Sequence, residues 1–368
     1  MQFLEANARR VVIKIGTNAL TGPDGALLID RIHDICSQVA NLRRQDYDVI
    51  VISSGAIGMG LDSLEISRRP PDLASLQACA AIGQSRLMEA WQSAMAAHDM
   101  IAAQILLTRE DVRGRKRHLA VRNTLEKLIS FGAVPVVNEN DTVSVDEIKF
   151  GDNDVLSALV ASLMKADLLV ILSTIDGFMK DMGKGDLIPI IEEITEEIRS
   201  MAGGALNDRS TGGMITKIEA AKLATQSGCG VFIGNASIPG ILDKLQSGTA
   251  RGTFFMPQTL SLAGRKRWIA FFEKPEGELH LDDGAVQAVV ERNSSLLAKG
   301  VLSAKGNFKV GSVVTVHAPD KKVVARGIVA FDSASLNKIL GKDSSEIRLQ
   351  YPDRSRVEVI HRDGLVLI

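Results

Sequence analysis

Short apolar runs and longer stretches of helical periodicity alternate along the first 260 or so residues. Aliphatic, β-branched runs at 11–15, 48–52, 101–107, 133–138, 168–172 and 231–233 predict strands. Between them, apolar positions recur every three or four residues over 30–44, 73–97, 119–130, 154–164 and 217–226, which predicts helices. The strand runs are almost continuously apolar, as expected for strands covered on both faces. The expected fold is α/β, an αβα sandwich around a mainly parallel sheet. After residue 260 the texture changes: Arg265, Lys266 and Arg267 end the alternation and 271–277 reads as a linker. Strand-like pieces follow at 278–281, 309–317, 323–329 and 346–349, with helical patterns only at 284–291 and 333–340. The expected organisation is a large domain over 1–260, a linker over 261–276 and a small β-rich domain, a compact barrel, over 277–368.

In open parallel sheets, ligands bind beyond the carboxyl ends of the strands. The polar and glycine-rich residues gather at those ends. Gly16-Thr17-Asn18, Ser53-Ser54-Gly55, Asn138-Glu139-Asn140-Asp141 and Ser173-Thr174 each follow a predicted strand. Four such loops on one sheet edge form a site signal that a single loop would not give.

Residues 210–217, STGGMITK, open the last predicted helix of this series. Paired glycines let backbone approach a ligand closely, and the free N–H groups and dipole of the following helical turn favour phosphate; a plain helix start after a flexible loop is the alternative for this run taken alone. Lys217 lies one turn in and adds a full charge. Neither Gly183-Lys184 nor Gly341-Lys342 has the spacing or the Ser/Thr of a Walker A loop, so a nucleotide would be held another way. Lys14 sits inside an apolar strand, where a buried ammonium is costly without an anion; snorkelling from an edge strand is the alternative. Two fixed lysines suit phosphoryl transfer, in which charge on the equatorial oxygens must be stabilised.

A second constellation is Lys149-Phe150-Gly151-Asp152-Asn153-Asp154. Two carboxylates flanking an amide could orient lysines, hold a Mg-nucleotide or bind an amino acid's ammonium, and a helix N-cap is the plainer alternative. The order of an EF-hand loop is absent. Ser54 lacks the preceding glycine of a nucleophile elbow and no His–Asp pairing accompanies it, so it reads as a substrate hydrogen-bond donor. Gly228-x-Gly230 precedes a strand and fails the dinucleotide context. The basic run at 113–118 reads as a solvated mobile loop, with nucleic-acid contact the minor alternative.

Composition narrows the function classes. Of 368 residues, 45% are hydrophobic, 24% charged and only 4% aromatic, so the core is mainly aliphatic. A net charge of −1 gives no global basicity for nucleic acid. The 3 cysteines form no CxxC pair and the 6 histidines show no metal-ligand spacing, which argues against a disulfide framework and a structural zinc site. No signal peptide or membrane-length apolar run is evident, and a soluble cytoplasmic protein is expected.

With these residues the chain resembles the amino acid kinase family, in its branch acting on glutamate. The resemblance runs through Val12-Ile13-Lys14-Ile15-Gly16-Thr17, Ser53-Ser54-Gly55-Ala56-Ile57, Gly83-Gln84-Ser85, Leu106-Leu107-Thr108, Asn138-Glu139-Asn140-Asp141, Gly151-Asp152-Asn153-Asp154 and Thr211-Gly212-Gly213-Met214-x-Thr216-Lys217. The tail, with Asn293-Ser294-Ser295-Leu296-Leu297, Lys299-Gly300-Val301 and Gly306-Asn307-Phe308, resembles a PUA domain. The resemblance implies ATP-dependent phosphorylation of the γ-carboxylate of L-glutamate to γ-glutamyl phosphate, the first step of proline biosynthesis. It implies that Lys14 and Lys217 stabilise the transferring phosphoryl group, with Asp154 and Asp152 holding them in place. Ser54, Asp141, Asn153 and Asn138 would bind glutamate. Lys14, Gly16, Ser173, Thr174, Thr211, Gly212, Gly213, Met214, Ile215, Thr216 and Lys217 would bind ATP, with Mg²⁺ carried mainly by the phosphates and no protein metal site. Ser173-Thr174-Ile175-Asp176-Gly177 departs from the Thr-Asp more often found after this strand. The resemblance further implies feedback inhibition by L-proline and a homo-oligomer, dimer or tetramer, and suggests glutamyl phosphate reductase as a partner. Competing readings are a related kinase for acetylglutamate, carbamate or a nucleoside monophosphate, and an RNA-binding protein. The modest basicity and sparse aromatics of the tail oppose the RNA reading.

Overall fold

The computed structural model describes residues 9–22, 26–113, 115–143, 152–180, 185–202, 213–258, 275–352, 354 and 357–367. They fall into two compact units, Met1–Ser261 and Leu262–Ile368. The predicted linker residues 271–274 and the basic triplet Arg265 to Arg267 lie outside the described residues.

In the first unit, β1 (Arg10–Ile15) is followed by α1 (Thr17–Leu20) and α2 (Ile29–Arg44), and β2 (Asp48–Ile52) by α3 (Ala56–Ser63) and α4 (Leu73–Ala96). Next come β3 (Ala102–Leu107), α5 (Arg109–Arg113), α6 (Arg115–Ser130), β4 (Val134–Glu139) and α7 (Asp152–Met164). The unit closes with β5 (Leu168–Ser173), β6 (Ile190–Ile191), α8 (Glu196–Ala202), α9 (Met214–Gln226), β7 (Gly230–Asn235), α10 (Ile241–Gln246) and β8 (Gly252–Phe255). The strands form an eight-stranded sheet in the order β3-β4-β2-β1-β5-β7-β8-β6. The first six in that order pair parallel, and β8 turns antiparallel against β7. This is the expected sandwich. The two unforeseen strands, β6 and β8, are too short to show a period.

Burial explains the elements. β1 lies at the middle of the sheet, with Val12 opposite Ile50 on one side and Leu169 on the other. It is therefore no edge strand, and the snorkelling alternative for Lys14 falls. In α2 the buried Ile32, Ile35, Cys36, Val39 and Leu42 keep the three- and four-residue spacing that predicts the helix. Of the basic run at 113–118, Arg113 ends α5 and residues 115–118 begin α6 rather than forming a loop, with His118 Nδ1 2.9 Å from the Val112 carbonyl oxygen and Arg117 paired with Asp111; residue 114 lies outside the described residues.

Two glycines set one helix crossing. A Cβ on Gly60 of α3 would lie 1.9 Å from the Cys79 carbonyl oxygen, and one on Gly83 of α4 would lie 1.8 Å from that of Ala56. The two backbones touch, and no larger residue fits at either position.

The second unit contains β9 (Gly277–Leu281), α11 (Asp283–Val290), β10 (Val301–Gly306), β11 (Val313–His317), β12 (Val323–Ile328), α12 (Ser333–Asn337), α13 (Ser344–Gln350) and β13 (Leu365–Leu367). Its five strands order as β10-β9-β11-β12-β13 over a core that includes Leu279, Val316, Phe331 and Ile360. The strand expected at 346–349 is instead the helix α13. Asp343 accepts hydrogen bonds from the backbone N–H of Ser345 and Glu346, while the Glu346 carboxylate accepts one from Asp343 N, closing a capping box. Ile347 is 1% exposed and Leu349 85%, so the apparent alternation is one buried face of a short helix. Among the described residues, no helix is long and apolar enough to cross a membrane.

Candidate active site

Because β1, β2, β4, β5 and β7 run parallel, their carboxyl ends share one edge. The chain reverses its winding at β1, with β2 and β4 on one side and β5 and β7 on the other. Such a reversal leaves a crevice, and Lys14 stands at it.

Lys14 Nζ lies 2.5 Å from Asp154 Oδ1, and Lys217 Nζ lies 3.1 Å from Asp154 Oδ2. The Thr216 hydroxyl donates to the same Oδ2 at 2.8 Å. One carboxylate in the first turn of α7 thus joins the central strand to the first turn of α9. Asp154 is 0% exposed, Lys14 4% and Lys217 6%, so all three charges sit out of water and depend on one another. Burial would raise the Asp154 pKa, but the ammonium of Lys14, and then that of Lys217, bring it below the ordinary value and keep it a carboxylate. For Lys14, burial favours loss of the proton; Asp154 opposes this and Lys217 adds to it, so the pKa falls below 10.5. The sign for activity follows. A site that needs the Lys14 ammonium fails as pH rises, and kcat/KM, which reports free-enzyme groups, is expected to decline on the alkaline side with a midpoint below 10.5. A profile flat to that pH would contradict it.

Two features beside the triad favour an anion. Gly213, the N-cap of α9, is extended and caps with no side chain, so the first N–H groups of the helix point outward with its positive dipole end. A Cβ on Gly16 would stand 3.4 Å from Lys14 Nζ, and its absence keeps space beside that ammonium. Met214, Ile215 and Thr216 form the first turn of α9 together with Lys217. Thr211, Gly212 and Gly151 lie outside the described residues, as does the side chain of Asp152, which begins α7.

Beside the triad lies a network of amides. Asn153 Nδ2 donates to the Ser53 carbonyl oxygen at 3.1 Å, to Ser54 Oγ at 2.9 Å and to Asn138 Oδ1 at 3.0 Å. Ser53 Oγ accepts from the Trp91 indole at 2.9 Å. Asn138 and Glu139 are the last residues of β4 rather than a loop after it, as Ser173 is the last residue of β5. Asp141 lies in the turn beyond β4, within electrostatic reach of Arg69. On the other flank, Ser173 is half-buried and Thr174 exposed, and Asn235 at the end of β7 donates to Asp176 Oδ1 at 2.9 Å. Arg251 pairs with the other oxygen of Asp176 at 3.2 Å.

Of the residues expected from sequence, Lys14, Ser54, Asn138, Asn153, Asp154, Thr216 and Lys217 are joined by hydrogen bonds or ion pairs into two adjoining clusters. Gln84, Trp91, Arg69 and Asn235 were missed as site neighbours. For Gln84 a signal existed, since Gly83-Gln84-Ser85 is among the motifs above. Among the described residues, no group of three His, Cys, Asp or Glu side chains is arranged to hold a metal ion.

Residues 9–235 match the amino acid kinase family and residues 277–349 match the PUA domain. A curated relative, "Glutamate 5-kinase" of Syntrophotalea carbinolica, is 45% identical over 99% of this chain and 98% of its own length. The protein of the same name from Trichlorobacter lovleyi is 44% identical over 98% of this chain and 97% of its own. A solved structure, carbamate kinase from Giardia lamblia bound to AMP-PNP, aligns over 68% of this chain and 99% of its own at 18% identity and a TM-score of 0.49. With its first unit matched from β1 to β7 and its relatives aligned almost end to end, this chain belongs to the amino acid kinase family, in the group that includes those glutamate 5-kinases, and carries a PUA domain.

Proposed function

We propose that the chain transfers the γ-phosphoryl group of ATP to the γ-carboxylate of L-glutamate, giving γ-glutamyl phosphate and ADP, the first step of proline biosynthesis. The observation that carries this reading is the single buried carboxylate of Asp154 shared by Lys14 and Lys217. The acceptor is ionised at neutral pH, with a carboxyl pKa of about 4.3, so it attacks without a general base. The obstacle is electrostatic: an anion must approach a phosphoryl group that is itself anionic. Two preorganised ammonium groups answer that need, and Asp154 keeps them apart and aimed without being consumed.

Lys14, Gly16 and the first turn of α9 would receive the phosphates, and Ser173 and Thr174 would flank the nucleotide. Ser54, Asn138, Asn153 and Asp141 would bind glutamate. Both Asp154 oxygens are already engaged by the lysines, so Mg²⁺ would ride on the ATP phosphates, where it supplies further positive charge. Feedback by L-proline, a homo-oligomer, a glutamyl phosphate reductase partner and a cytoplasmic location rest on the family resemblance.

The test is ADP release with ATP and Mg²⁺ against a panel of L-glutamate, acetylglutamate, carbamate, aspartate and UMP, with hydroxylamine to trap acyl phosphate. Turnover with L-glutamate and a hydroxamate product is expected. Preference for any other acceptor rejects the reading.

A further inference from the structure

We infer that Gln84 is a positioning residue for the amino-acid side of this site, acting through Asn138 and Asn153; the inference rests on the glutamate kinase reading above. The close glycine crossing of α3 and α4 places Gln84, next to Gly83, against the end of β4. There Gln84 Oε1 accepts from Asn138 Nδ2 at 2.7 Å.

Two backbone groups fix which way these amides stand. The Glu139 N–H can only donate, and it donates to Asn138 Oδ1 at 3.0 Å. Asn138 must therefore turn Nδ2 toward Gln84, and Gln84 must answer with its oxygen. The Ser53 carbonyl can only accept, so the atom of Asn153 facing it is Nδ2. Asn138 Oδ1 and Ser54 Oγ draw that same Nδ2. What remains of the amide is Asn153 Oδ1, buried and without a hydrogen-bond partner among the described residues. A buried acceptor of this kind asks for a donor. The α-ammonium of an amino acid supplies one.

Gln84 thus makes a chain from α4 to β4 to α7 that holds Asn153 with its oxygen available. Without the Gln84 acceptor, Asn138 Nδ2 is left unsatisfied and the Asn138 side chain, still held at Oδ1 by the Glu139 N–H, loses its anchor on α4 and can shift, loosening the contact by which Oδ1 holds Asn153.

The experiment uses the full-length protein with Gln84→Met, which keeps the length of the side chain and removes the acceptor. KM for L-glutamate should rise about tenfold, while KM for ATP and kcat stay near those of the parent, as expected when ground-state binding alone is lost. Glutarate, which carries both carboxylates and no ammonium, should inhibit parent and variant with the same Ki. Gln84→Glu keeps an oxygen toward Asn138 Nδ2 and should bring KM back toward the parent. An unchanged KM in Gln84→Met, a glutarate Ki that rises with it, or a Glu variant no better than the Met variant overturns the inference. A parent enzyme with no glutamate turnover would instead reject the kinase reading itself.

Discussion

Asp154→Asn should unfold at a markedly lower temperature than the parent and lose at least about a hundredfold in kcat. The substitution barely changes volume but removes the carboxylate charge that pairs with both Lys14 and Lys217. Breaking a buried ion pair by removing one partner costs about 3–5 kcal/mol, because the charge left behind is out of water and uncompensated. For a domain of this size, each kcal/mol is worth about 2–4 °C in Tm. The pH dependence gives a second check. The folded-state pKa of Asp154 is depressed below the 3.8 of a free side chain, so its stabilisation is complete above that value and is lost as pH falls through the lower, folded one. The gap in stability between parent and variant should hold at neutral pH and narrow below about pH 4. Equal melting temperatures at pH 7 would show that the lysines are neutralised by something else.

The lysines themselves divide stability from chemistry. Lys217→Ala and Lys14→Ala should each lower kcat by about 10²–10³, the size of effect seen when one charge-stabilising donor is removed from a reacting centre. Either change leaves Asp154 paired with the remaining lysine, so each should cost less Tm than Asp154→Asn. The double variant should fall short of the product of the two losses, because residues that act as a unit are not additive. Full turnover in either single variant removes that lysine from the phosphoryl site.

Several of these relations are legible in the sequence and several are not. An interior lysine at residue 14 within an apolar strand announces a buried charge, and the strand-end loops announce the edge on which it lies. The periodicity of α2, α4 and α9 comes through because each buries one face over three or more turns, whereas α7 is buried at every position from Leu156 to Met164 and is read from the length of its apolar run. That one carboxylate serves both lysines could not be read. Lys217 and Asp154 are 63 residues apart, and Asn153 lies 100 from Ser53, so only the folded sheet brings them together. β6, with two residues, and β8, with four, carry too little pattern, and their pairing depends on the strand beside them. The misread segment at 346–349 did hold a usable sign: an Asp three residues before a Glu is a capping-box spacing, and it outweighs a four-residue alternation.

The central place of β1 also sets the order in which the molecule can be assembled. On one side β1 pairs with β2, close in sequence, and a growing chain can close that contact early. On the other it pairs with β5, where Val11 meets Leu168, and its lysine waits for a carboxylate at residue 154. Contacts this distant raise the contact order and are paid in loop-closure entropy before they return any stabilisation. The earliest strand to be made is therefore completed only once β5 has been made, and Lys14 waits for its counter-ion until residue 154. The triad exists only once residues from β1, α7 and α9 meet.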